Sequence, residues 1–378
     1  MNINTHRLTT EFIELVSIDS PSFGEQRVGN YIRQNLKALG FEVREDNAGA
    51  GHDNGCGNIY GYLAGNNGEK EPLLFCAHMD TVEPANGKHA VLDDGGVIKS
   101  AGDTVLGADD FAGIVAILEA LRVIRENGIA HRPIEVLFTV AEEVYCGGIA
   151  QLDFSWIKSR QAYVLDLAGP VGTAANKAPS ILFFTATVAG KSAHAGFEPQ
   201  NGIHAIAAAA KAVSALRLGQ VDGETTLNVG VIEGGRATNI VPDRCVVRGE
   251  ARSFTHSKAE AQLEEVRHQF EAAAAEIGAT VEFEVFFGCE AYETPLDHPV
   301  AKRFEKACGA VGLSPAFQPT LGGSDNNYLA QHGIVGLVAA PGMHLCHTCE
   351  EYTTADDLVR SARLALALMA ASDGEVST

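Results

Sequence analysis

The segment PLLFCAHMDTV, residues 72–82, joins an almost wholly apolar run to polar groups at its end. Such a run is typical of a strand buried on both faces of a sheet. In open α/β sheets, ligand-binding residues follow the carboxyl ends of the strands. His78 and Asp80 stand at that place, and strand alternation puts them on the same side. The segment therefore predicts a central strand with a candidate site at its end.

Segments before and after residues 72–82 predict the other helices and strands of an α/β fold. Helical spacing of apolar residues predicts two helices at the start of the chain, the second ended by Gly40, and a third from Asp110 to Asn127. Thr354 and Asp357 form a capping box that predicts the start of the last helix. Further strands are predicted at residues 41–45, 58–64, 134–140, 162–167 and 334–340. Because strands alternate with helices, we expect an α/β fold, with a mixed, largely parallel sheet flanked by helices.

Residues 179–289 interrupt this order with a β-α-β-β-α-β series. The series is typical of a ferredoxin-like sandwich, which would form an α+β domain inserted into the first. A chain of 378 residues also exceeds the ~250–300 residues at which single hydrophobic cores stop growing. We therefore expect residues 1–178 and 290–378 to form one domain and residues 179–289 another.

The charge of the chain argues against two classes of partner. Lys and Arg number 28 and Asp and Glu number 48, which gives a formal net charge of −20 at pH 7. Such a field repels phosphate backbones and anionic lipid, so we expect no nucleic acid and no membrane as partner. The N-terminal residues lack a basic region followed by an apolar segment, so no export signal is predicted.

Eight cysteines are scattered along the chain. Their distribution favours reduced thiols over a disulfide framework, and with it a cytoplasmic location. Cys346 and Cys349 form a C-x-x-C pair. Half a zinc site or a redox pair is therefore an alternative interpretation of this segment.

Acidic side chains follow several of the predicted strands. In the motif GADDFAG, Asp109 and Asp110 precede a helix, so one of them can cap the helix while the other points into a cleft. Glu142 and Glu143 follow an apolar strand, where two adjacent carboxylates are costly without a cation or a shared proton. Asp166 ends another apolar run. Taken singly, each of these acids can be interpreted as a cap or a structural residue.

His347 follows the last predicted strand, and His344, three residues earlier, is a competing candidate. As a set, the acids and imidazoles indicate a metal centre, because the strand ends of one sheet converge on a single cleft. Carboxylate and imidazole ligands without thiolate suit zinc, manganese or cobalt. One carboxylate shared by two ions gives the two-metal arrangement used in hydrolysis.

The motifs of the chain, in their order, resemble those of the co-catalytic zinc peptidase family, which includes peptidase T, glutamate carboxypeptidase, succinyl-diaminopimelate desuccinylase and the aminoacylases. The resemblance spans nearly the whole chain, and the peptidase T-like branch looks closest. The motifs are HMDTV (78–82), GADDFAG (107–113), AEE (141–143), VLD (164–166), SAHAG (192–196), GGRATNIVPD (234–243), GGSDNN (322–327) and HTCEEY (347–352).

The resemblance implies a role for each matching residue of the predicted centre. The implied metal ligands are His78 and Asp166 for one ion, Glu143 and His347 for the other, and Asp109 as the bridge. Asp80 would be the acid that orients His78. Glu142 would be the general base, which takes a proton from the attacking water and hands it to the leaving amine.

On the inserted domain the resemblance implies contacts with the substrate. His194 matches a lid histidine that supports the oxyanion, in some members across a dimer interface. Asn239 and Arg252 match substrate-binding positions, and Arg252 is suited to grip a carboxylate. A homodimer formed through the lid is the partner that this implies. The chain departs from the related branch at Phe111, where a lysine is usual, and at Leu167-Ala168, which affects the expected substrate preference.

We predict a dinuclear-metal exopeptidase that hydrolyses short peptides and is most like a tripeptide aminopeptidase. Its two divalent ions are predicted to be Zn²⁺, with Mn²⁺ or Co²⁺ as alternatives. An amidohydrolase of the carboxypeptidase or N-acyl amino acid deacylase type, using the same centre, is the main alternative. A catalytically inactive binding protein is a more remote alternative. Such a protein would have no need of a general base, whereas this chain has Glu142.

Overall fold

The computed structural model describes residues 2–68 and 70–370, which form two compact units. The first unit comprises Met1–Lys177, Glu293–Thr320 and Ser324–Thr378, and the second comprises Ala178–Tyr292 and Leu321–Gly323. No helix in the described ranges is both long enough and apolar enough to span a bilayer.

Helices and strands are numbered separately in chain order. The chain before the second unit contains α1 (Thr5–Val16), α2 (Gln26–Ala38), β1 (Glu42–Glu45), β2 (Ile59–Leu63), β3 (Leu73–His78), β4 (Ala90–Leu92), β5 (Val97–Ser100), α3 (Ala108–Asn127), β6 (Ile134–Thr139), β7 (Gln161–Val164) and β8 (Thr173–Ala178). The second unit contains β9 (Ser180–Ala189), α4 (Ala205–Ala215), β10 (Gly219–Gln220), β11 (Thr225–Gly234), β12 (Arg244–Ser253), α5 (His256–Glu276) and β13 (Thr280–Cys289). The chain from residue 292 onwards contains β14 (Tyr292–Glu293), α6 (Pro299–Ala310), β15 (Ala316–Pro319), α7 (Asp325–Gln331), β16 (Val335–Ala339), β17 (Tyr352–Thr354) and α8 (Ala355–Ala370). Short 3₁₀ turns lie at Ile149–Gln151, Phe154–Trp156 and Pro199–Asn201.

A nine-stranded sheet organises the first unit, in the order β1-β2-β6-β3-β7-β16-β8-β14, with β15 paired to β8. Its centre is parallel, because β3 pairs in parallel with β6 and β7, and β7 pairs in parallel with β16. Antiparallel pairs of β1 with β2, of β2 with β6 and of β16 with β8 lie on either side. The predicted α/β class, with a mixed, largely parallel sheet flanked by helices, is confirmed.

Burial explains why β3 and β6 lie at the centre of this sheet. Every residue of both strands is buried, so each strand needs cover on both of its faces. Helix α3 contacts β3 and also packs against α1 and α8. Almost all of its residues from Ala108 to Ile124 are buried. The ends of the central strands are therefore held in a densely packed layer.

Three short strands that the sequence pattern did not predict form a separate sheet, in the order β17-β5-β4. Strand β17 pairs antiparallel with β5, with Thr353 opposite Ile98. Two of these strands have only three residues, too few for a two-residue alternation to stand out in the sequence. Because β17 begins shortly after His347, the pairing anchors the loop that carries this histidine.

The second unit is a five-stranded antiparallel sheet in the order β10-β11-β12-β9-β13. The series β9, α4, β11, β12, α5, β13 gives the predicted ferredoxin-like arrangement, with β10 added at one edge. Apolar side chains of both helices and of the sheet form one core cluster. Within it, the rings of Phe184 and Phe283 stack with centroids 5.5 Å apart.

We expect Phe12→Ala to lower the free energy of unfolding by about 3–5 kcal/mol, because this fully buried ring of α1 would leave a cavity in the core of the first unit. Chemical denaturation followed by circular dichroism measures the change. The control is Leu92→Ala, which truncates a side chain that is 46% exposed and should change the free energy by about 0.5 kcal/mol or less. Equal effects of the two substitutions would contradict the assigned core.

Candidate metal centre

The predicted ligands all lie where elements of the first unit begin or end. His78 is the last residue of β3, Glu143 and Asp166 follow β6 and β7 within a few residues, and Asp109 lies at the start of α3. His347 lies in the loop between β16 and β17. Because β3, β6, β7 and β16 run parallel, their carboxyl ends meet at one edge of the sheet.

His78 faces two carboxylates with one ring nitrogen and a third with the other. Its Nε2 lies 3.0 Å from Oδ1 of Asp109 and 3.7 Å from Oδ1 of Asp166. Its Nδ1 lies 3.0 Å from the main-chain oxygen of Asp80 and 3.4 Å from that residue's Oδ1. Contacts of this kind fix the plane of a metal-ligating imidazole, which is the role predicted for Asp80.

His347 completes a second group around the same bridging acid. Its Nε2 lies 3.3 Å from Oδ2 of Asp109 and 3.1 Å from Oε2 of Glu143. Asp109 thus presents one oxygen to each histidine. Donor atoms within 4.8 Å of one another form two triads that share this residue: His78, Asp109 and Asp166, and Asp109, Glu143 and His347.

The two triads fit a pair of divalent cations. Each triad offers imidazole nitrogen and carboxylate oxygen, which suit zinc and its first-row neighbours. Oε1 of Glu143 is buried and has no hydrogen-bond partner among the described residues, and such an oxygen is costly unless a cation takes it as a ligand. A carboxylate between two ions also matches the geometry of two-metal hydrolytic sites.

When no cation is bound, protons on the ligand side chains neutralise part of the negative charge of the site. Hydrogen bonds with Asp109 and Glu143 raise the pKa of His347 to about 11. Burial opposes the charged form of His78, but its hydrogen bonds with Asp109 and Asp166 outweigh burial and raise the pKa of His78 well above its ordinary value. Burial raises the pKa of Asp166 to about 7. A cation that binds here must therefore displace protons.

Asp80 also holds the segment that carries Glu142. The backbone N–H groups of Glu142 and Glu143 donate to Oδ1 and Oδ2 of Asp80 at 3.0 and 3.2 Å, and Oγ of Ser22 donates to Oδ2 at 2.6 Å. Enclosure by the protein raises the pKa of the Glu142 carboxyl well above its ordinary value, and the charge of Asp166 adds to this effect. A carboxylate of raised pKa is a stronger base.

Three buried acids of the centre were not assigned a role from the sequence. Oε1 of Glu25 accepts the N–H of Ala141 at 2.9 Å, at a residue whose φ is +51°. Glu351 accepts the N–H groups of Gly107 at 2.6 Å and of Asp109 at 2.9 Å. Oδ2 of Asp325 accepts the hydroxyl of Thr139 at 2.6 Å. Glu351 and Asp325 lie in motifs named above, whereas nothing in the sequence around Glu25 marked it.

Of the alternatives left open by the sequence, His344 has partners outside the two triads, whereas the thiol of Cys346 is hydrogen-bonded to Asp109. Nε2 of His344 lies 3.4 Å from Oδ2 of Asp357, and its ring stacks on Tyr352 with centroids 4.8 Å apart. Neither Cys346 nor Cys349 belongs to the groups of donors in the described residues that lie close enough together to hold an ion.

Phe111, where the related branch usually has a lysine, is fully buried at the start of α3. Nζ of Lys88 lies 5.0 Å from the centre of its ring and donates to Oγ1 of Thr81 at 2.9 Å. Burial lowers the pKa of Lys88 to about 8. A lysine therefore does reach Phe111, from a different segment of the chain.

The predicted substrate-binding residues lie in the second unit. Nδ1 of His194 accepts the N–H groups of Gly196 and Phe197, and the His194 ring stacks on Phe197 with centroids 4.3 Å apart. The main-chain oxygen of Asn239 accepts the N–H of Ala195, which holds the segments of His194 and Asn239 together. Arg252 forms a two-pronged ion pair with Glu250, at 2.8 and 3.0 Å, and donates to the main-chain oxygen of Leu321.

Comparisons with known proteins give matches over most of the chain. A model described as a peptidase dimerisation domain, M20_dimer, matches residues 177–280, and a model of peptidase family M28 matches residues 58–176. The Bacillus subtilis relative named Uncharacterized protein YqjE is 38% identical over 97% of this chain and 98% of its own.

Two solved structures are similar along nearly the whole chain. The aminopeptidase PepT from Bacillus cereus ATCC 10987 has a TM-score of 0.89 and 38% identity, over 97% of this chain and 98% of that one. A tripeptidase from Staphylococcus aureus subsp. aureus Mu50 has a TM-score of 0.92 and 34% identity over the same shares of the two chains. Both similarities extend through the first and second units.

We expect the binding of divalent cations to release protons and to weaken as the pH falls. At pH 7 the raised pKa of His347, about 11, keeps its imidazole protonated in the metal-free protein, whereas a ligand must be neutral. Calorimetric titration of Zn²⁺ in two buffers of unequal ionisation enthalpy should show at least about one proton released for each ion.

Variants of the two histidines provide the controls for this titration. His347→Ala should lose one ion and its proton, while His344→Ala should keep both ions. Binding without proton release, or loss of an ion in His344→Ala, would contradict the assigned ligands.

Proposed function

The chain belongs to the M20 peptidase family and is a metallo-exopeptidase of the peptidase T type, and from this premise we propose that it is an aminopeptidase acting on tripeptides. The observation that carries the proposal is the pair of donor triads that share Asp109, with Glu142 held beside them. The solved relatives named an aminopeptidase and a tripeptidase support this substrate class.

We assign the five ligands to two ions, which we propose to be Zn²⁺. His78 and Asp166 would hold one ion, Glu143 and His347 would hold the other, and Asp109 would be the ligand that both ions share. When bound, divalent cations at this place acidify water and polarise the scissile carbonyl. The choice of zinc rests on the mixed imidazole and carboxylate donors, a set that Mn²⁺ and Co²⁺ also accept.

Glu142 is the general base of the proposed reaction. Its backbone N–H donates to Asp80, and its carboxyl is close enough to Asp166 and Glu143 to be affected by their charges. The raised pKa of this carboxyl favours taking a proton from the attacking water. The same carboxyl then gives the proton to the leaving amine nitrogen, which restores the base for the next turnover.

Residues of the second unit bind the substrate in this proposal. His194 supports the oxyanion, and Asn239 and Arg252 contact the peptide. Arg252 would have to release Glu250, with which it forms a two-pronged ion pair, before the same fork could grip a carboxylate of the peptide. The match to a peptidase dimerisation domain supports a homodimer formed through this unit, and the distribution of cysteines supports a cytoplasmic location.

A panel of four substrates tests the proposed specificity: a free tripeptide, a free dipeptide, an N-blocked tripeptide and an N-acetyl amino acid. We expect the free tripeptide to be hydrolysed fastest, with release of its first residue. Metal-stripped protein should be inactive until Zn²⁺ or Mn²⁺ is restored. Preference for the blocked substrates would instead identify a carboxypeptidase or deacylase at the same centre.

Glu142→Gln should lower kcat by about 10²–10⁴-fold while both ions stay bound, because a carboxamide keeps the shape of the side chain but cannot take up a proton. Metal content by elemental analysis and kcat on a free tripeptide measure the two effects. Glu350→Gln, at an exposed glutamate of the loop that carries His347, is the control and should keep both properties. Near wild-type turnover in Glu142→Gln would remove Glu142 from the mechanism.

A further inference from the structure

A third group of metal-ligating side chains lies beside Glu142, apart from the two triads. Carboxylate oxygens of Glu142 and Asp325 and Sγ of Cys146 all lie within 4.8 Å of one another. Sγ of Cys146 is 3.3 Å from Oε1 of Glu142. Glu142 and Cys146 share the loop after β6, and Asp325 is the first residue of α7. Two different elements of the first unit thus bring three donors together.

Asp325 supplies an independent sign that this group takes a ligand. Its side chain is 1% exposed, and its Oδ2 accepts the hydroxyl of Thr139. Its Oδ1 is buried without a hydrogen-bond partner among the described residues. A buried carboxylate oxygen without a partner destabilises the folded protein, so a cation that used it as a ligand would remove this cost.

The charges around the group also favour a cation. Carboxylate oxygens of Glu142 and Asp325 lie within 4.8 Å of each other, a distance at which two negative charges repel. A positive ion between Glu142 and Asp325 would relieve their mutual repulsion directly.

We propose that Glu142, Cys146 and Asp325 form an inhibitory site for a third divalent cation, with Zn²⁺ preferred over Mn²⁺. Two carboxylates and a thiolate are ligands that zinc accepts readily, whereas manganese favours oxygen ligands alone. Bonds of about 2.0–2.3 Å require donor atoms already within 4.8 Å of one another to move only slightly closer.

Inhibition follows because the third ion and the reaction compete for the same carboxylate. A carboxyl of Glu142 that binds a cation cannot take a proton from water. The effect should therefore lower kcat, and a higher concentration of peptide should not reverse it. The inhibitory consequence, though not the binding itself, rests on the proposed function, in which Glu142 is the base.

Enzyme loaded with two equivalents of Zn²⁺ provides the kinetic test. Further Zn²⁺ should inhibit hydrolysis of a free tripeptide, and further Mn²⁺ should inhibit far less. Because even outer-shell partners of a metal are worth ~10–100-fold in affinity, loss of the thiolate in Cys146→Ser should raise the inhibitory Zn²⁺ concentration by at least about tenfold. Cys349→Ser, at an exposed cysteine, is the matched control and should behave as wild type. Each rate is compared with that variant's own rate at two equivalents.

A second measurement detects the site without any catalysis. Cd²⁺ added to the enzyme that already holds two Zn²⁺ should give a thiolate-to-cadmium charge-transfer band in the ultraviolet. The band should be lost in Cys146→Ser, weakened in Asp325→Asn and kept in Cys349→Ser. No band, or a band that persists in Cys146→Ser, would overturn the third site and leave a proton shared by Glu142 and Asp325 as the alternative. If no peptide is hydrolysed but the band appears, the proposed function fails and the site stands.

Discussion

The structure of the first unit depends on how buried carboxylates are neutralised where the parallel strands of its sheet end. An ionised carboxylate without donors or positive charge around it costs several kcal/mol in such a place. Asp80 accepts two backbone N–H groups and a hydroxyl, and Glu351 accepts two backbone N–H groups. These acids are satisfied by the protein itself. They can therefore hold loops in position around the site without any ion.

Three other acids, Asp109, Glu143 and Asp166, face imidazoles, which is why they are suited to cations. Asp109 and Glu143 contact His347, and Asp109 and Asp166 face His78. A divalent ion can replace the proton that each imidazole carries and pull the same carboxylates inward. The neighbours of these five acids thus divide them into two sets: Asp80 and Glu351 fix the backbone, and Asp109, Glu143 and Asp166 are suited to bind ions. The sorting is a property of the neighbours of each acid and not of its residue type.

The sequence predicted the parts of the fold in which burial leaves a pattern. The apolar runs of β3 and β6 and the helical spacing within α3 reflect cover on several faces. The strand ends predicted where the candidate site lies. The three-residue strands β4 and β17 leave no such pattern. Within the site, family motifs assigned the ligands, but the role of Glu25 could not be found. Glu25 accepts the N–H of nearby Phe23 and also that of Ala141, and the second contact is invisible in the sequence because Ala141 lies far away in the chain.

The surroundings of Glu142 favour two opposing reactions of its carboxylate, the uptake of a proton and the binding of a cation. A general base must be strongly basic, and its basicity comes from enclosure and from the negative charges of Asp166, Asp325 and Glu143. The same enclosure and charges attract cations, so any change that makes Glu142 more basic also increases its affinity for a metal ion. In the proposed third site, Cys146 would decide which cations compete, since a thiolate selects soft ions such as zinc over hard ones. Under the two proposals, the metal that activates the two triads and the metal that blocks the base can therefore be the same element, distinguished only by the number of ions bound.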